Sequence, residues 1–342
     1  MLMKNKSRVL KIFLLIILGI FLLVFPFIAK SRYQVHILNM CGIYVLLSLG
    51  LNIVMGYAGQ FNLAMGALWG IGGYTAGILN TRMGLPFWVN LPIAMLFAGL
   101  VGAFVGLPSL KVRAHYLSIV TIGLGEVINL FLLNQQDLTG GALGIPKIQM
   151  PVFFGIPLNT DETYYYLILV IVVLGFLLAR QIIANRVGRA FRAIRDDPLT
   201  AQAMGVPIGN YKILAFFISA VFAGTAGALY AHLNTYISPD IFDFRSTMFI
   251  MTLTMIGGMG NLTGSLIGGA LLPILQEYLR AFHSWQLVGY GLVILLVVLF
   301  IPGGIMQLVQ RKGTFPKFKI LWSRKKTNGE KPKKEEGNVP RT

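Results

Sequence analysis

Two glycine-interrupted segments of this chain carry amides at points where a helix inside an apolar protein would be broken. The first runs through Gly56, Gly59, Gln60 and Asn62, and the second places Asn261 after a similar Gly-x-x-Gly step. An unwound helix frees backbone N–H groups, which together with side-chain amides bind the carboxylate of a polar solute. The pattern fits a solute path, but close packing of helices through glycine explains the same residues, and the sequence leaves both roles open.

One acidic side chain, Glu126, stands inside the apolar run 114–134, three residues before Asn129. At that spacing the two side chains share one face of a helix. A carboxylate at membrane depth is costly, so Glu126 is expected to face the protein interior or water. It is therefore either a residue that lines the path or a hydrogen-bonded carboxyl group that orients neighbouring helices.

A basic stretch between two apolar runs offers a surface for docking. Three arginines follow one another there at three-residue spacing: Arg189, Arg192 and Arg195. Asp197 and Pro198 then predict a short helix, because Asp caps helices and Pro suits their first turn. Gly205 is expected to end this helix just after Met204. We expect the helix to contact a partner protein, and the arginines to support it from the inner face and to contact lipid.

Several catalytic and ligand-binding patterns are absent from the sequence. No lysine follows a glycine, so ATP cannot be bound through a P-loop, and Gly-x-Ser-x-Gly and His-Glu-x-x-His are also missing. The histidines lack the spacing of metal ligands, and the pair Asp196-Asp197 fits a helix cap better than a Mg²⁺ site. The sequence therefore predicts no enzyme activity of its own, no cofactor and no metal site.

The composition is that of a polytopic membrane protein. Of 342 residues, 56% are hydrophobic and only 12% are charged, whereas soluble domains carry about 25% charged residues. The net charge of +17 follows from basic residues on one membrane face, so no nucleic-acid partner is predicted. The single cysteine, Cys41, excludes an internal disulfide.

Ten apolar segments are predicted to lie in the membrane, which makes the fold all-α. They cover residues 10–29, 36–55, 61–80, 88–106, 114–134, 164–183, 212–232, 246–258, 261–280 and 285–302. Three of the ten are rich in glycine and are expected to be short, broken or re-entrant: 61–80, 246–258 and 261–280.

The basic residues set the predicted orientation. The N-terminus, the stretch Arg180–Lys212 and the region after Arg311 carry nearly all of the net charge. An even number of crossings places these three regions together on the cytoplasmic side, as the positive-inside rule requires. Residues 1–310 then form a transmembrane domain, with a cytoplasmic loop at 187–206 and an extracytoplasmic loop at 135–163. Residues 311–342 form a basic cytoplasmic tail whose composition predicts disorder.

Several motifs resemble one family of transport proteins, the permeases of branched-chain amino acid ABC transporters, in the LivM type of subunit. The most specific is Gly188-Arg-Ala-Phe-Arg-Ala-Ile-Arg-Asp-Asp-Pro198, followed by Ala201-Gln-Ala-Met-Gly205. Five further motifs match between residues 40 and 300, beginning at Gly56, Tyr116, Leu138, Ala215 and Met255. The acidic residue that usually opens the coupling helix of importer permeases is replaced here, so only the small residues and the glycine of that helix match.

The resemblance implies an ABC-importer permease in the bacterial inner membrane, with both termini cytoplasmic. It also implies a second permease chain, identical or paralogous, two ATPase chains on the cytoplasmic side and an extracytoplasmic solute-binding protein. The helix that couples to the ATPases would use five residues: Pro198, Ala201, Ala203, Met204 and Gly205. The substrate would be a branched-chain or related apolar amino acid. A urea or short-amide permease, a stand-alone transporter or channel, and an integral-membrane enzyme stay open as alternatives.

Overall fold

The chain folds into a bundle of helices in a computed structural model that describes residues 25–26, 31–112, 114–153, 156–158, 160–280, 291, 295 and 304–306. Ten helices are labelled within these residues: α1 (Arg32–Leu51), α2 (Met65–Met83), α3 (Phe87–Gly106), α4 (Ala114–Asn134), α5 (Asp161–Ala184), α6 (Arg186–Asp196), α7 (Pro198–Ala203), α8 (Ile208–Asn234), α9 (Phe244–Gly257) and α10 (Leu262–Arg280).

Shorter elements join these helices. A π-helical turn, Asn52–Tyr57, extends α1, and a turn of helix, Gln136–Thr139, follows α4. Three 3₁₀ turns cover Leu107–Leu110, Gly141–Leu143 and Pro239–Phe242. The strands β1 (Val152–Phe153) and β2 (Ile156–Pro157) pair antiparallel before α5.

Five stretches of helix in the described residues are long and apolar enough to cross a membrane. They are Arg32–Tyr57, Phe87–Leu110, Tyr116–Asn134, Asp161–Ala184 and Ile208–Asn234. This confirms the prediction of an all-helical membrane protein. The predicted segments 10–29 and 285–302 lie outside the described residues except for 25–26, 291 and 295, and the tail 311–342 lies wholly outside them, so the number of ten spans stays a prediction.

The centre of the bundle is α8, which packs against α1, α2 and α3. Small residues allow the close approach: a Cβ atom at Gly227 would lie 2.3 Å from the carbonyl oxygen of Trp69, and one at Gly72 would lie 2.4 Å from the Cα atom of Gly224. The backbones of α2 and α8 therefore touch, as expected for membrane helices that associate through small residues.

The start of α2 lies inside the bundle rather than at its end. A Cβ atom at Gly50 would be 3.2 Å from the Met65 side chain and 2.8 Å from the Ser219 carbonyl oxygen. Ser219 is eleven residues into α8, or about 16 Å at 1.5 Å per residue. Met65 is the first residue of α2, so α2 begins at this depth and the non-helical residues 58–64 run inside the bundle. The helix break predicted near Gly56–Asn62 is present.

The helices α9 and α10 form a tight antiparallel pair. A Cβ atom at Gly257 would lie 2.2 Å from the Gly264 carbonyl oxygen, and one at Gly268 would lie 2.2 Å from the Leu253 carbonyl oxygen. Residues 258–261 interrupt the helices, and Gly260 takes a positive φ of 79°. The glycine-rich segments 246–258 and 261–280 are thus two helices, of 14 and 19 residues, with a break between them.

The two ends of the bundle carry different elements. One end, the arginine end, holds α6, α7 and the turn Leu107–Leu110, which is tied to α8 by the Lys212 ammonium at 2.9 Å from the Ser109 carbonyl oxygen. The other end holds the chain between α4 and α5, which pairs with the α8–α9 connection through Ile145 and Ile237. Gln149 is also fixed there, since its N–H donates to Asn80 Oδ1 at 2.7 Å.

Candidate functional site

The helix α6 is amphipathic and lies on the bundle with one face. Its buried residues are Gly188, Ala190, Phe191 and Ile194. The three predicted arginines, Arg189, Arg192 and Arg195, are exposed, although the Arg195 side chain also contacts the bundle. The burial of Phe191 and Ile194 fixes the helix at the arginine end, so the segment that follows leaves the bundle in a defined direction.

The short helix α7 forms as the sequence predicts. The Asp197 carboxylate accepts hydrogen bonds from the N–H groups of Leu199 and Thr200, at 2.9 and 3.3 Å, and from the Thr200 hydroxyl at 2.5 Å. The Thr200 side chain and backbone hydrogen bonds, followed by that of Leu199, lower the pKa of Asp197 below its ordinary value. Pro198 occupies the first turn, and Gly205 follows the helix with a φ of 80°.

The outward surface of α7 is apolar at two points. Leu199 is 78% exposed and Met204 is 80% exposed. Of the five residues predicted to couple to a partner, Pro198, Ala203, Met204 and Gly205 are exposed, whereas Ala201 is buried with 4% exposure. Ala201 therefore seats α7 against the chain, and Leu199 is an exposed apolar residue that the sequence reasoning did not single out.

The two glycine-interrupted segments meet at the arginine end. A Cβ atom at Gly56 would lie 2.4 Å from the Gly260 backbone nitrogen. The fully buried Asn52 side chain holds the segments together. It accepts from Gly260 N–H at 2.7 Å and donates to the Asn261 carbonyl oxygen at 2.9 Å and to Ser265 Oγ at 2.6 Å. We call this contact between residues 52–59 and 258–265 the glycine junction.

Arg195 reaches from the last turn of α6 into the glycine junction. Its Nη1 atom donates a hydrogen bond to the Gly56 carbonyl oxygen. A Cβ atom at Gly59 would lie 3.0 Å from Arg195 Cγ, and one at Gly260 would lie 2.8 Å from Arg195 Nη1. The guanidinium group thus lies against both glycine segments and satisfies a carbonyl group that the end of the helix leaves free.

A second feature is a crevice at the start of α2, which opens to the surface of the chain at α4, where Glu126 is exposed. Glu126 and Asn129 of α4 line one wall, and Leu63, Ala64 and Ala67 line another. The remaining wall comes from the start of α9: Phe242, Asp243, Phe244 and Thr247. The Thr247 hydroxyl accepts from the Gly66 N–H at 2.9 Å. The N-termini of α2 and α9 therefore meet beside the two polar residues of α4.

The predicted path residues are divided between the glycine junction and the crevice. Gly56, Gly59 and Asn261 belong to the glycine junction, and Glu126 and Asn129 belong to the crevice. Gln60 and Asn62 lie between them in the non-helical segment and are buried. Asn62 Oδ1 accepts from Ala64 N–H at 3.0 Å. Asn129 Nδ2 donates to the Pro239 carbonyl oxygen at 3.2 Å.

Asn52, which joins the two segments of the glycine junction, is a residue that the sequence reasoning missed. An amide near the end of the apolar run 36–55 was a usable signal, because polar side chains at membrane depth need partners. Within the described residues no group of three or more His, Cys, Asp or Glu side chains is placed to hold a metal ion.

The sequence model of the family described as "Branched-chain amino acid transport system / permease component" matches residues 33–302. The chain belongs to this family. The matched range contains the glycine junction, the crevice and α6–α7. These three features therefore lie in the part of the chain that matches the family.

Curated members of the branched-chain permease family are similar to the chain along most of its length. The permease protein LivM of Escherichia coli strain K12 is 33% identical over 323 residues, which cover 88% of this chain and 76% of that protein. The permease protein LivH of the same strain is 29% identical over 282 residues, covering 77% of this chain and 91% of that protein. BraD of Pseudomonas aeruginosa is also 29% identical, over 283 residues, with 77% of this chain and 91% of that protein covered. No solved structure matches the chain.

Proposed function

We propose that this chain is the permease subunit of an ATP-driven importer for branched-chain or related apolar amino acids. The observation that carries the proposal is the 33% identity to LivM, a high-affinity branched-chain amino acid transport permease, over 88% of the chain. Energy for transport would come from separate ATPase subunits, since the sequence has no P-loop.

The helix α7 is the proposed contact with the ATPases. Its exposed Leu199 and Met204 would enter an apolar groove on the partner, while the buried Ala201 holds the helix on this chain. The Asp197 cap and the close connection to α6 support movement of the helix as one piece, because the Asp197 N–H also donates to the Ala193 carbonyl oxygen at 3.0 Å.

The crevice beside the start of α2 is the proposed part of the translocation path. An amino acid carries a carboxylate and an ammonium group, and the crevice offers a counterpart to each. The N-terminus of α2 favours the carboxylate, whereas the carboxylates of Glu126 and of Asp243, which caps α9, favour the ammonium group. Gln60 and Asn62 would join this path when the non-helical segment moves.

The complete importer would contain further parts. We propose ten spans with both termini on the cytoplasmic side of a bacterial inner membrane, the loop 135–163 facing a solute-binding protein, and the tail 311–342 contacting anionic lipid. LivM and LivH of one strain are both similar to this chain, which supports pairing with a second, paralogous permease chain.

The test is uptake into proteoliposomes that contain this chain, its paralogous permease and two ATPases. A solute-binding protein is added outside and ATP is enclosed within. We expect uptake of labelled leucine that depends on ATP and exceeds uptake of urea. Uptake of urea but not leucine would assign the chain to short-amide transport, and leucine flux without ATPases would show a stand-alone transporter or channel.

The variant Glu126→Gln tests the path in the same assay. Removal of the carboxylate is expected to lower leucine uptake by about tenfold or more, because a charge-assisted contact to the ammonium group is lost. Glu162→Gln is the matched control, because Glu162 lies in the first turn of α5, outside the crevice. Equal uptake by the two variants would remove Glu126 from the path.

A further inference from the structure

We infer that Arg195 is the positioning residue that transmits movement of α7 to the two broken helices of the path. The inference rests on the proposed function, because it assumes that α7 is moved by an ATPase. Arg195 would act through the glycine junction rather than by contact with the solute or with the ATPase.

The position of Arg195 along the chain joins it rigidly to α7. It lies in the last turn of α6, two residues before Asp197, which caps α7. The Asp197 N–H continues the hydrogen bonding of α6, and the Ala201 N–H donates to the Asp197 carbonyl oxygen at 3.0 Å. A displacement of α7 is therefore carried to the Arg195 backbone through at most two residues.

The contacts of the Arg195 side chain join it to both glycine segments. Its Nη1 donates to the Gly56 carbonyl oxygen, and the same atom lies over Gly260, while its methylene groups lie over Gly59. No side chain separates the guanidinium group from these backbones, because all three positions are glycine. A shift of the arginine must therefore break its hydrogen bond or move the segments with it.

The glycine segments in turn reach the crevice. Residues 58–64 are not helical and run from Gly59, under Arg195, to Leu63 and Ala64, which line the crevice. Four residues of extended chain span at most about 14 Å. The second segment leads to the crevice through α9, whose first residues line it. One side chain at the arginine end thus touches two segments that each lead to the crevice.

Arg189 provides the matched comparison on the same helix. It is exposed and carries the same charge, but its side chain makes no hydrogen bond or ion pair in the described part of the chain. A role in lipid contact or in general docking would be shared by Arg189 and Arg195. A role in transmitting movement belongs to Arg195 alone.

The first measurement uses the chain in lipid nanodiscs without partner proteins. Hydrogen–deuterium exchange is followed in peptides that cover residues 52–64 and 258–264. The variant Arg195→Gln is expected to raise the exchange rate there by about tenfold, because a charge-assisted hydrogen bond that closes the junction is lost. Arg189→Gln should leave the rate unchanged, and Arg195→Lys should give an intermediate rate.

The second measurement uses the complete importer and compares leucine transported per ATP hydrolysed. We expect Arg195→Gln to keep ATP hydrolysis within about twofold of the unchanged protein and to lower that ratio by about tenfold, since ATP no longer favours one state of the path. Arg189→Gln should keep the ratio.

Three results would overturn the inference: unchanged exchange in Arg195→Gln, an unchanged transport ratio, or loss of assembly in both Arg195→Gln and Arg195→Lys. The last result would make Arg195 a packing residue. Failure of the unchanged complex to import leucine contradicts the proposed function instead, and the exchange measurement then still decides whether Arg195 closes the junction.

Discussion

The substitution Gly56→Ala tests the glycine junction most directly, because the added atom has no space. The new Cβ would lie 1.8 Å from Asn52 Oδ1 and 2.4 Å from the Gly260 backbone nitrogen. Since the second atom belongs to the backbone, relief requires that Asn52 turns away or that the two segments separate. Either movement breaks the hydrogen bonds that Asn52 makes with Gly260, Asn261 and Ser265.

The expected magnitude follows from these lost contacts. Asn52 is fully buried, so each hydrogen bond that is not replaced costs about 1–3 kcal/mol. Three such bonds, partly replaced after relaxation, predict a loss of about 3–6 kcal/mol in the free energy of unfolding. The gain in helix propensity from glycine to alanine is at most about 1 kcal/mol, so the destabilisation dominates.

The assay is equilibrium unfolding in mixed micelles, followed by the fluorescence of tryptophan, including the buried Trp69. Gly123→Ala is the control, because a Cβ at Gly123 meets nothing within 4 Å. It should leave the free energy of unfolding unchanged or slightly higher. Asn52→Ala combined with Gly56→Ala should cost less than the two single substitutions together, since both act on one contact. Equal stability of Gly56→Ala and Gly123→Ala would refute the close contact that the glycine junction makes at Gly56.

Four further predictions concern packing and α7. Gly227→Ala should lower the free energy of unfolding by about 1–3 kcal/mol, because the added Cβ would lie 2.3 Å from a carbonyl oxygen of α2. A melting curve that matches the curve of Gly123→Ala would contradict this. Asp197→Ala should lower leucine transport per ATP while Asp197→Asn keeps it, because Asn caps a helix equally well. Hydrogen bonds lower the pKa of Asp197 in the folded chain. The stabilisation of α7 by this carboxylate is therefore complete at neutral pH and is lost only as the pH falls through the lowered pKa. Hydrogen exchange of the α7 amides, measured as a function of pH, checks this. Ala201→Leu should displace α7 and uncouple transport, and normal transport would show that its burial is unimportant.

The local structure of α7 was predictable from the sequence because short-range chemistry determines it. Asp197, Pro198 and Gly205 act on their own backbone within a few residues, and the helix begins and ends where they require. The break near Gly59 was predictable for the same reason, since glycine accepts the positive φ of 67° that the chain adopts there.

The arrangement around the breaks was not predictable, because it depends on residues far apart in the sequence. Glycine spacing indicates that a neighbour approaches closely, but it does not say which neighbour. Gly56 and Gly260 are separated by about two hundred residues and meet where α9 and α10 pack against α1 and Asn52 joins the two segments. The same limit applied to Arg195, whose charge was compatible with lipid contact until its partners at Gly56 and Gly260 were known.

The division of the predicted path residues between two places is itself informative about mechanism. A continuous helix through residues 52–83 would leave no backbone group for Arg195 and no helix N-terminus at the crevice. The non-helical residues 58–64 provide both, because Gly59 lies under Arg195 and Ala64 precedes the start of α2. Gln60 and Asn62 lie between the two places and are buried, and within the described part of the chain Gln60 Oε1 and Asn62 Nδ2 have no hydrogen-bond partner. Buried polar atoms without partners are costly, so these amides favour a second arrangement in which the segment is open to water or to solute. We therefore propose that this segment is the element with two states that an ATP-driven importer requires.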